Sequence, residues 1–272
     1  MRRPRLCCRM RTFVKFFTSR RETLLARHRR VASTLCKAGC LFNTLSDVSV
    51  NRCRVVGHRG APRAAPENTL ASLEAAGRMG ADGVEVDLRV CGDGSIAVIH
   101  DAELGRTTAG HGPVRGADAD TLRALGVPLL EDVVDLCRRL GLWLDLEVKE
   151  EEPAIAAALA SVSLDHGGIV SSFLPGALDL VAEHAPHLGR ALLAIPGVDA
   201  EASMEAAIRH GAWNPPLPTV VADPSSIGRA RERGLSVHVW TVNEPDDMRL
   251  LAAAGADSVI TDVPDVARAA LA

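Results

Sequence analysis

The chain has 272 residues, of which 47% are hydrophobic, and its formal net charge is −3. This apolar content is ample for a buried core, and the absence of any run of 18 apolar residues predicts no transmembrane helix. The charge is unevenly distributed. Residues 1–54 carry fourteen Lys or Arg against Glu22 and Asp47 (net +12), whereas the remaining 218 residues carry 17 basic and 32 acidic side chains (net −15).

Residues 1–52 form a basic N-terminal extension that we expect to be disordered. The extension is Arg-rich and acid-poor, with Phe13, Phe16 and Phe17 on one possible helix face. It resembles an organelle transit peptide or a segment that binds an anionic surface or nucleic acid, and it lacks the apolar core of a secretory signal. The alternative is an over-extended reading frame whose natural start lies downstream. The Ala-rich later part is bacterial in style, which disfavours a transit peptide and favours a cytoplasmic location.

Seven cysteines lie in the chain without regular spacing. An odd, irregular set argues against a disulfide framework, and a reducing compartment is the simpler interpretation.

From Val55 onward, short apolar runs alternate with helical patterns at intervals of about 25 residues. The predicted strands are 54–58, 83–90, 142–148, 168–173, 189–195, 211–221, 235–242 and 257–261. The sixth is the weakest because it is rich in proline. Eight strands alternating with helices in about 220 residues predict an α/β fold of the (β/α)8 TIM-barrel type. An open doubly wound sheet is the alternative, but the Gly-rich dinucleotide loop that it predicts is absent.

Local signals mark the ends of several helices. Asn68 is a good N-cap for the first helix, which stops at Gly80, and Gly141 ends the helix of "PLLEDVVDLCRRLG". Asn243 begins a helix whose first turn is acidic, which favours the helix dipole. The segments "GADGVEVD" and "GADSVITD" echo one another, as expected for a repeated βα architecture.

A hairpin is predicted directly after the second strand. Asp93-Gly94 lies between two apolar runs, which is a strong turn signal. The chain therefore folds back and returns His100-Asp101 to the neighbourhood of strand two.

Functional residues of a barrel lie at the carboxyl ends of its strands. The i, i+2 spacing of the acidic residues in strands two and three puts their carboxylates on one face of each strand. The polar residues at these ends are His58, Arg59, Glu85, Asp87, Asp145, Glu147, Lys149, Thr261 and Asp262.

The chemistry of this rim suits a metal-assisted phosphoryl reaction. Clustered carboxylates suit a hard divalent ion such as Mg²⁺ or Ca²⁺, and no Cys joins them to favour a softer metal. Arg59 and Lys149 suit a phosphate, and two histidines beside it suit a general base and a general acid. Taken singly, a histidine such as His58 is more often a core residue, and the acidic pair of strand two has a structural salt bridge to Arg89 or Lys149 as its alternative. These structural alternatives do not require every such residue on one rim.

Nine segments, "GHRG", "PENT", "GADGVEVDLRVCGDG", "VIHD", "VPLLEDV", "LDLEVK", "SSF", "VHVWTVNEPDDM" and "GADSVITDVP", resemble the glycerophosphodiester phosphodiesterase family. The resemblance runs from Val55 to Pro264 and assigns residues 53–272 to one such domain. It implies a (β/α)8 barrel that hydrolyses glycerophosphodiesters, such as glycerophosphocholine or glycerophosphoethanolamine, to sn-glycerol 3-phosphate and an alcohol. The family's reaction proceeds either through a cyclic phosphate or by direct attack of water.

The resemblance also implies roles for individual residues. By motif, the acid/base pair is His58 and His100, the ligands of one Mg²⁺ or Ca²⁺ are Glu85, Asp87 and Glu147, the phosphate-facing cations are Arg59 and Lys149, and an aromatic wall is Trp240.

The expected partner is a small-molecule glycerophosphodiester. A net charge of −15 on the main part disfavours nucleic acid, and no feature of the sequence indicates an oligomeric state. A related lysophospholipase D or sphingomyelinase D is the alternative enzyme, which requires a hydrophobic mouth. A catalytically inactive scaffold is disfavoured because no key residue is missing.

Overall fold

The structure, a computed structural model, describes residues 52–272. Its strands are β1 (Arg54–His58), β2 (Gly83–Val90), β3 (Ile96–Val98), β4 (Trp143–Val148), β5 (Gly168–Ser172), β6 (Gly189–Leu193), β7 (Ala212–Asn214), β8 (Ser236–Val239) and β9 (Ser258–Thr261).

Eight parallel strands close into a barrel. The order runs β1-β2-β4-β5-β6-β7-β8-β9, and β1 then pairs with β9 to complete the ring. Strand β1 lies between β2 and β9, with His58 opposite Glu85 of β2 and Gly57 opposite Thr261 of β9. The (β/α)8 barrel expected from the sequence is confirmed, and the open doubly wound sheet is wrong.

The hairpin after the second barrel strand is also confirmed. β3 pairs antiparallel with the far end of β2, and Gly94 adopts a φ of 85° in the turn between them. This left-handed conformation is accessible to glycine without steric cost. The chain beyond β3 then brings His100 back to the carboxyl end of the barrel.

Helices connect successive barrel strands. They are α1 (Leu70–Arg78), α2 (Ala119–Ala124), α3 (Leu130–Leu140), α4 (Pro153–Leu159), α5 (Pro175–His184), α6 (Ala200–Ala207), α7 (Leu217–Ala222), α8 (Ser225–Glu232), α9 (Pro245–Ala254) and α10 (Pro264–Ala270). Short 3₁₀ helices span Leu104–Arg106 and Val114–Gly116.

The core is divided into layers. Parallel strands covered on both faces are buried along their whole length, as in β4. The main cluster packs the outer faces of the strands against the helices. The barrel interior is filled by Val56, Trp143, Ile169, Ala191, Ala212 and Ile260. The extension between β2 and α3 has a small core of its own, made of Cys91, Ala97, Ile99, Leu104, Val114, Ala117, Leu122, Val127 and Leu129.

Two predicted helix starts are wrong. The N-cap of α1 is Thr69, whose hydroxyl accepts the Ser72 amide hydrogen at 3.2 Å, and the N-cap of α9 is Glu244. Asn68 and Asn243 each lie one residue earlier. Their side chains turn towards the carboxyl ends of the strands, because long-range partners there compete successfully with local capping.

The sixth predicted strand is much shorter than expected. Strand β7 covers three residues of the predicted range 211–221, and α7 occupies most of the remainder. Pro215 and Pro216 have no amide hydrogen for a β-ladder, and Pro216 then serves as the N-cap residue of α7. The apolar run "TVVA" is therefore helical.

No helix within residues 52–272 is long and apolar enough to cross a membrane. Cys53, Cys91 and Cys137 are free and buried, and burial raises the thiol pKa of Cys137 to about 12. The predictions made for residues 1–51, as a disordered, transit-like or mis-assigned segment, lie outside the described residues.

Candidate active site

Three buried carboxylates meet at the carboxyl ends of β2 and β4. These strands are neighbours in register, with Asp87 opposite Glu147. One carboxylate oxygen from each of Glu85, Asp87 and Glu147 lies within 4.8 Å of the others. Such a cluster is expensive without compensating positive charge. Lys149 supplies part of it, because its Nζ lies 2.8 Å from Asp87 Oδ1 and also contacts Glu147.

The electrostatics of the three-carboxylate cluster favour the binding of a further cation. Burial, followed by the charges of Asp87, Glu147 and Asp145, raises the pKa of Glu85 well above its usual range. Burial also raises the pKa of Glu147. Burial alone would raise the pKa of Asp87, but Lys149 and Arg59 outweigh it and lower that pKa.

The donor set fits a hard divalent ion. Nothing in the described part of the chain donates a hydrogen bond to Glu85 Oε1, although this oxygen is buried. Oxygen ligands from several carboxylates are what Mg²⁺ and Ca²⁺ prefer. A divalent cation would hold Glu85 ionised and satisfy its free oxygen.

His58 ends strand β1 and is anchored by the last barrel strand. Its Nδ1 lies 2.8 Å from Asp262 Oδ1, directly after β9. Asp262 is held in turn, since its Oδ2 accepts the Asn243 amide at 2.8 Å and its backbone N–H donates to Asn243 Oδ1 at 2.9 Å. The other ring nitrogen, Nε2, lies 4.0 Å from Glu85 and faces the acidic cluster.

His100 is anchored in the same manner from the hairpin side. Its Nδ1 lies 2.6 Å from Asp101 Oδ1, and its backbone carbonyl accepts a 2.7 Å hydrogen bond from Arg89 Nε. Burial lowers the pKa of His100, and the hydrogen bond to Asp101 opposes that shift. A carboxylate on Nδ1 selects the tautomer with a free Nε2, which is the arrangement required of a proton-transfer group.

The turn after β1 has an unusual backbone. Arg59 and Asn68 both have positive φ, at 52° and 58°. This conformation turns the Arg59 amide towards Glu85 Oε2, at 3.0 Å, and directs the Asn68 side-chain amide to Asp87 Oδ2, at 2.7 Å. Non-glycine residues in the left-handed region cluster at functional sites, where neighbouring contacts offset the strain.

Two cations and an aromatic pair complete the site. Arg59 Nε lies 3.1 Å from Asp87 Oδ2, beside the Lys149 ion pair. Trp240 follows β8 at the same end of the barrel and packs edge-on against Phe173, with ring centroids 5.5 Å apart. Its indole N–H donates to the Asn214 carbonyl at 2.8 Å, which fixes the plane of the ring.

The residues singled out from the sequence thus lie at one end of the barrel, and direct contacts join six of them: His58, Arg59, Glu85, Asp87, Glu147 and Lys149. His100 and Trp240 flank this group. The sequence analysis placed Asp262 at the rim without a specific role, treated Asn68 and Asn243 only as helix starts, and did not single out Glu67 or Arg106. The "PENT" and "TDVP" segments contain three of these residues, but their pairing is visible only in three dimensions.

A (β/α)8 barrel with these groups at its carboxyl end defines a phosphoric diester hydrolase. Residues 58–266 match the model of the glycerophosphoryl diester phosphodiesterase family, and the chain belongs to that family.

Curated relatives and solved structures are similar to this chain over most of its length. The chain is 31% identical over 238 residues to YqiK of Bacillus subtilis, covering 80% of this chain and 98% of the relative. It is 29% identical to a glycerophosphodiester phosphodiesterase of Caldanaerobacter subterraneus, and the match covers 78% of this chain and 94% of the relative. Among solved structures, a phosphodiesterase of Oleispira antarctica in complex with the product sn-glycerol-3-phosphate superposes with a TM-score of 0.70 at 28% identity. The match covers 80% of this chain and 96% of that structure.

Proposed function

We propose that this protein hydrolyses glycerophosphodiesters such as glycerophosphocholine and glycerophosphoethanolamine to sn-glycerol 3-phosphate and an alcohol, with a divalent cation and two histidines. The observation that carries the proposal is the meeting of two carboxylate-anchored imidazoles and a three-carboxylate cluster at one barrel end. The product bound to the Oleispira antarctica relative supports the choice of substrate.

Glu85, Asp87 and Glu147 would hold one Mg²⁺ or Ca²⁺. When bound, the cation supplies Lewis-acid polarisation of a phosphoryl oxygen and neutralises developing negative charge. Arg59 and Lys149 contribute fixed positive charge beside it, and the Arg59 guanidinium suits bidentate contact with phosphate oxygens.

The two histidines divide the proton transfers. Nε2 of one imidazole takes a proton from the attacking hydroxyl, and Nε2 of the other gives a proton to the departing alcohol oxygen. Asp262 and Asp101 stabilise the imidazolium form of each histidine, which arises on the proton acceptor and is consumed on the proton donor. The attacking group is a hydroxyl of the substrate's own glycerol or a water molecule, and a cyclic phosphate resonance in a time-resolved ³¹P NMR spectrum would identify the first route.

The purified protein should release glycerol 3-phosphate from glycerophosphoethanolamine with Mg²⁺ or Ca²⁺, and a chelator should stop the release. His58→Ala and His100→Ala should each lose most of the activity. His166→Ala is the matched control, because His166 is exposed and lies just before the start of β5, whereas the site is at the carboxyl ends of the strands. Full activity of either histidine variant, or of the chelated enzyme, would contradict the proposal.

A lysophospholipid is the second candidate substrate, favoured by one observation. Leu174, Ile195 and Val198 follow β5 and β6 on the carboxyl side of the barrel and are 37%, 57% and 42% exposed. An acyl chain leaving the site on that side would contact them. Ile195→Lys should then raise the KM for lysophosphatidylcholine and leave that for glycerophosphocholine unchanged. Equal KM values for the lysolipid in both proteins would exclude this role.

A further inference from the structure

The extension between β2 and α3 contributes an arginine, Arg106, whose side chain contacts the loop that follows β1. Arg106 ends the 3₁₀ helix Leu104–Arg106, and Leu104 is buried in the extension's small core. The backbone of Arg106 is therefore fixed by packing, while its side chain projects towards the loop that follows β1.

The Arg106 guanidinium holds two carboxylates at once. Its Nε and Nη2 donate to Asp101, at 2.5 and 3.2 Å. Its Nη1 and Nη2 donate to Glu67, at 3.0 and 2.6 Å. These hydrogen bonds from Arg106 are the first cause of the lowered pKa of each carboxyl group, so both remain ionised.

Each of these carboxylates has a second partner in the active site. Asp101 Oδ1 is the atom that anchors His100 Nδ1. Glu67 Oε1 accepts a 2.8 Å hydrogen bond from Arg59 Nη1. A continuous chain of charged contacts therefore runs from His100 through Asp101, Arg106 and Glu67 to Arg59.

We propose that Arg106 is a positioning residue that fixes the imidazole of His100 and the guanidinium of Arg59 relative to one another. The inference rests on the proposed function, because it takes His100 as a proton-transfer group and Arg59 as a phosphate-binding group. The planar five-donor fork is needed, since a lysine ammonium cannot hold two carboxylates in fixed bidentate geometry.

A purely structural role is the competing explanation. Arg106 is 47% exposed, and exposed ion pairs contribute little to stability. The chain offers a matched control in Arg123, which lies on α2 of the same extension, is 44% exposed and also bridges two carboxylates, those of Glu131 and Asp132. Within residues 52–272, the ion pairs of Arg123 are with Glu131 and Asp132 and not with the site.

The experiment compares Arg106→Ala, Arg106→Lys and Arg123→Ala with glycerophosphoethanolamine as substrate and the divalent ion in excess. Arg106→Ala should reduce kcat by about 10- to 100-fold, the range found when residues supporting a site are removed. Arg106→Lys should recover only part of this loss, and added guanidinium should raise the activity of Arg106→Ala. Arg123→Ala should retain the wild-type kcat, with a melting temperature lowered as little as in Arg106→Ala.

A second arm tests the route of the effect. In a protein that already carries Asp101→Asn and Glu67→Gln, adding Arg106→Ala should change kcat by less than about twofold, because the partners through which it acts are gone. Three results would overturn the inference. They are an undiminished effect of Arg106→Ala in that background, equal losses of kcat in Arg106→Ala and Arg123→Ala, and full activity of Arg106→Ala. The variant His100→Ala distinguishes a failure of the Arg106 inference from a failure of the proposed function. If His100→Ala is inactive while Arg106→Ala is fully active, only the inference on Arg106 fails. If His100→Ala is active, the proposed function fails.

Discussion

The pairing of His58 with Asp262 makes a quantitative prediction for Asp262→Asn. The substitution preserves the shape of the side chain and removes its charge. An asparagine can also present its NH₂ group to His58 Nδ1, which would favour the wrong imidazole tautomer. Asn243 retains its own contact with the backbone N–H of residue 262.

The magnitude follows from the 2.8 Å contact between His58 and Asp262. A hydrogen bond to a charged partner contributes about 1.5 to 3 kcal/mol. If this contribution is lost when the imidazolium forms, kcat falls by about 10- to 150-fold, since each 1.36 kcal/mol is a factor of ten. KM should change little, because the hydrogen-bond partners of Asp262 are His58 and Asn243, and not the carboxylate cluster or the phosphate-facing Arg59 and Lys149.

The assay is the release of glycerol 3-phosphate from glycerophosphoethanolamine, coupled to NAD⁺ reduction by glycerol-3-phosphate dehydrogenase. Asp265→Asn is the control, because Asp265 is an exposed aspartate only three residues away. If Asp262→Asn kept more than half of the wild-type kcat, or changed KM alone, the anchoring role of this carboxylate would be refuted.

Four further results are expected. Glu147→Gln should abolish turnover and weaken Mg²⁺ or Ca²⁺ binding measured by calorimetry, whereas unchanged cation affinity would remove Glu147 from the ligand set. Trp240→Ala should raise KM with a smaller effect on kcat in steady-state kinetics, because it removes the aromatic wall. Gly60→Ala should lower the free energy of unfolding by about 1–3 kcal/mol in urea titrations, since φ is +91° and a Cβ would lie 2.5 Å from the Ser72 hydroxyl. Burial lowers the pKa of His238 to about 4, below its unfolded value of about 6.5, so the unfolded chain binds the extra proton. The contribution of His238 to the free energy of unfolding should therefore be fully present above about pH 6.5 and fall by about 3 kcal/mol towards pH 4. In urea titrations at each pH, His238→Gln should lack this pH-dependent contribution.

Much of the fold was predictable because barrel strands are short, buried and regularly spaced. The first two strands begin and end at the predicted residues, 54–58 and 83–90. The i, i+2 rule then placed the carboxylates of Glu85 and Asp87 on one face, and the Asp93-Gly94 turn placed His100 near them. These signals are local, so they can be read from one sequence.

The errors at the two helix starts arose where a distant partner competes with a local signal. Asn68 has the composition and position of an N-cap, but a buried carboxylate 19 residues later takes its side chain. Asn243 is diverted in the same way by Asp262. The bridging role of Arg106 depends on two loops that approach only after the barrel has closed. No spacing rule connects residues 67, 101 and 106.

His58 and Asp262 are 204 positions apart, one on the first barrel strand and one after the last. A chain emerging from the ribosome therefore carries most of the site long before it carries this pair. The imidazole acquires its carboxylate only when β9 has docked beside β1 and the ring is complete. Nascent or C-terminally truncated chains that end before Asp262 therefore lack the carboxylate that anchors the His58 imidazole.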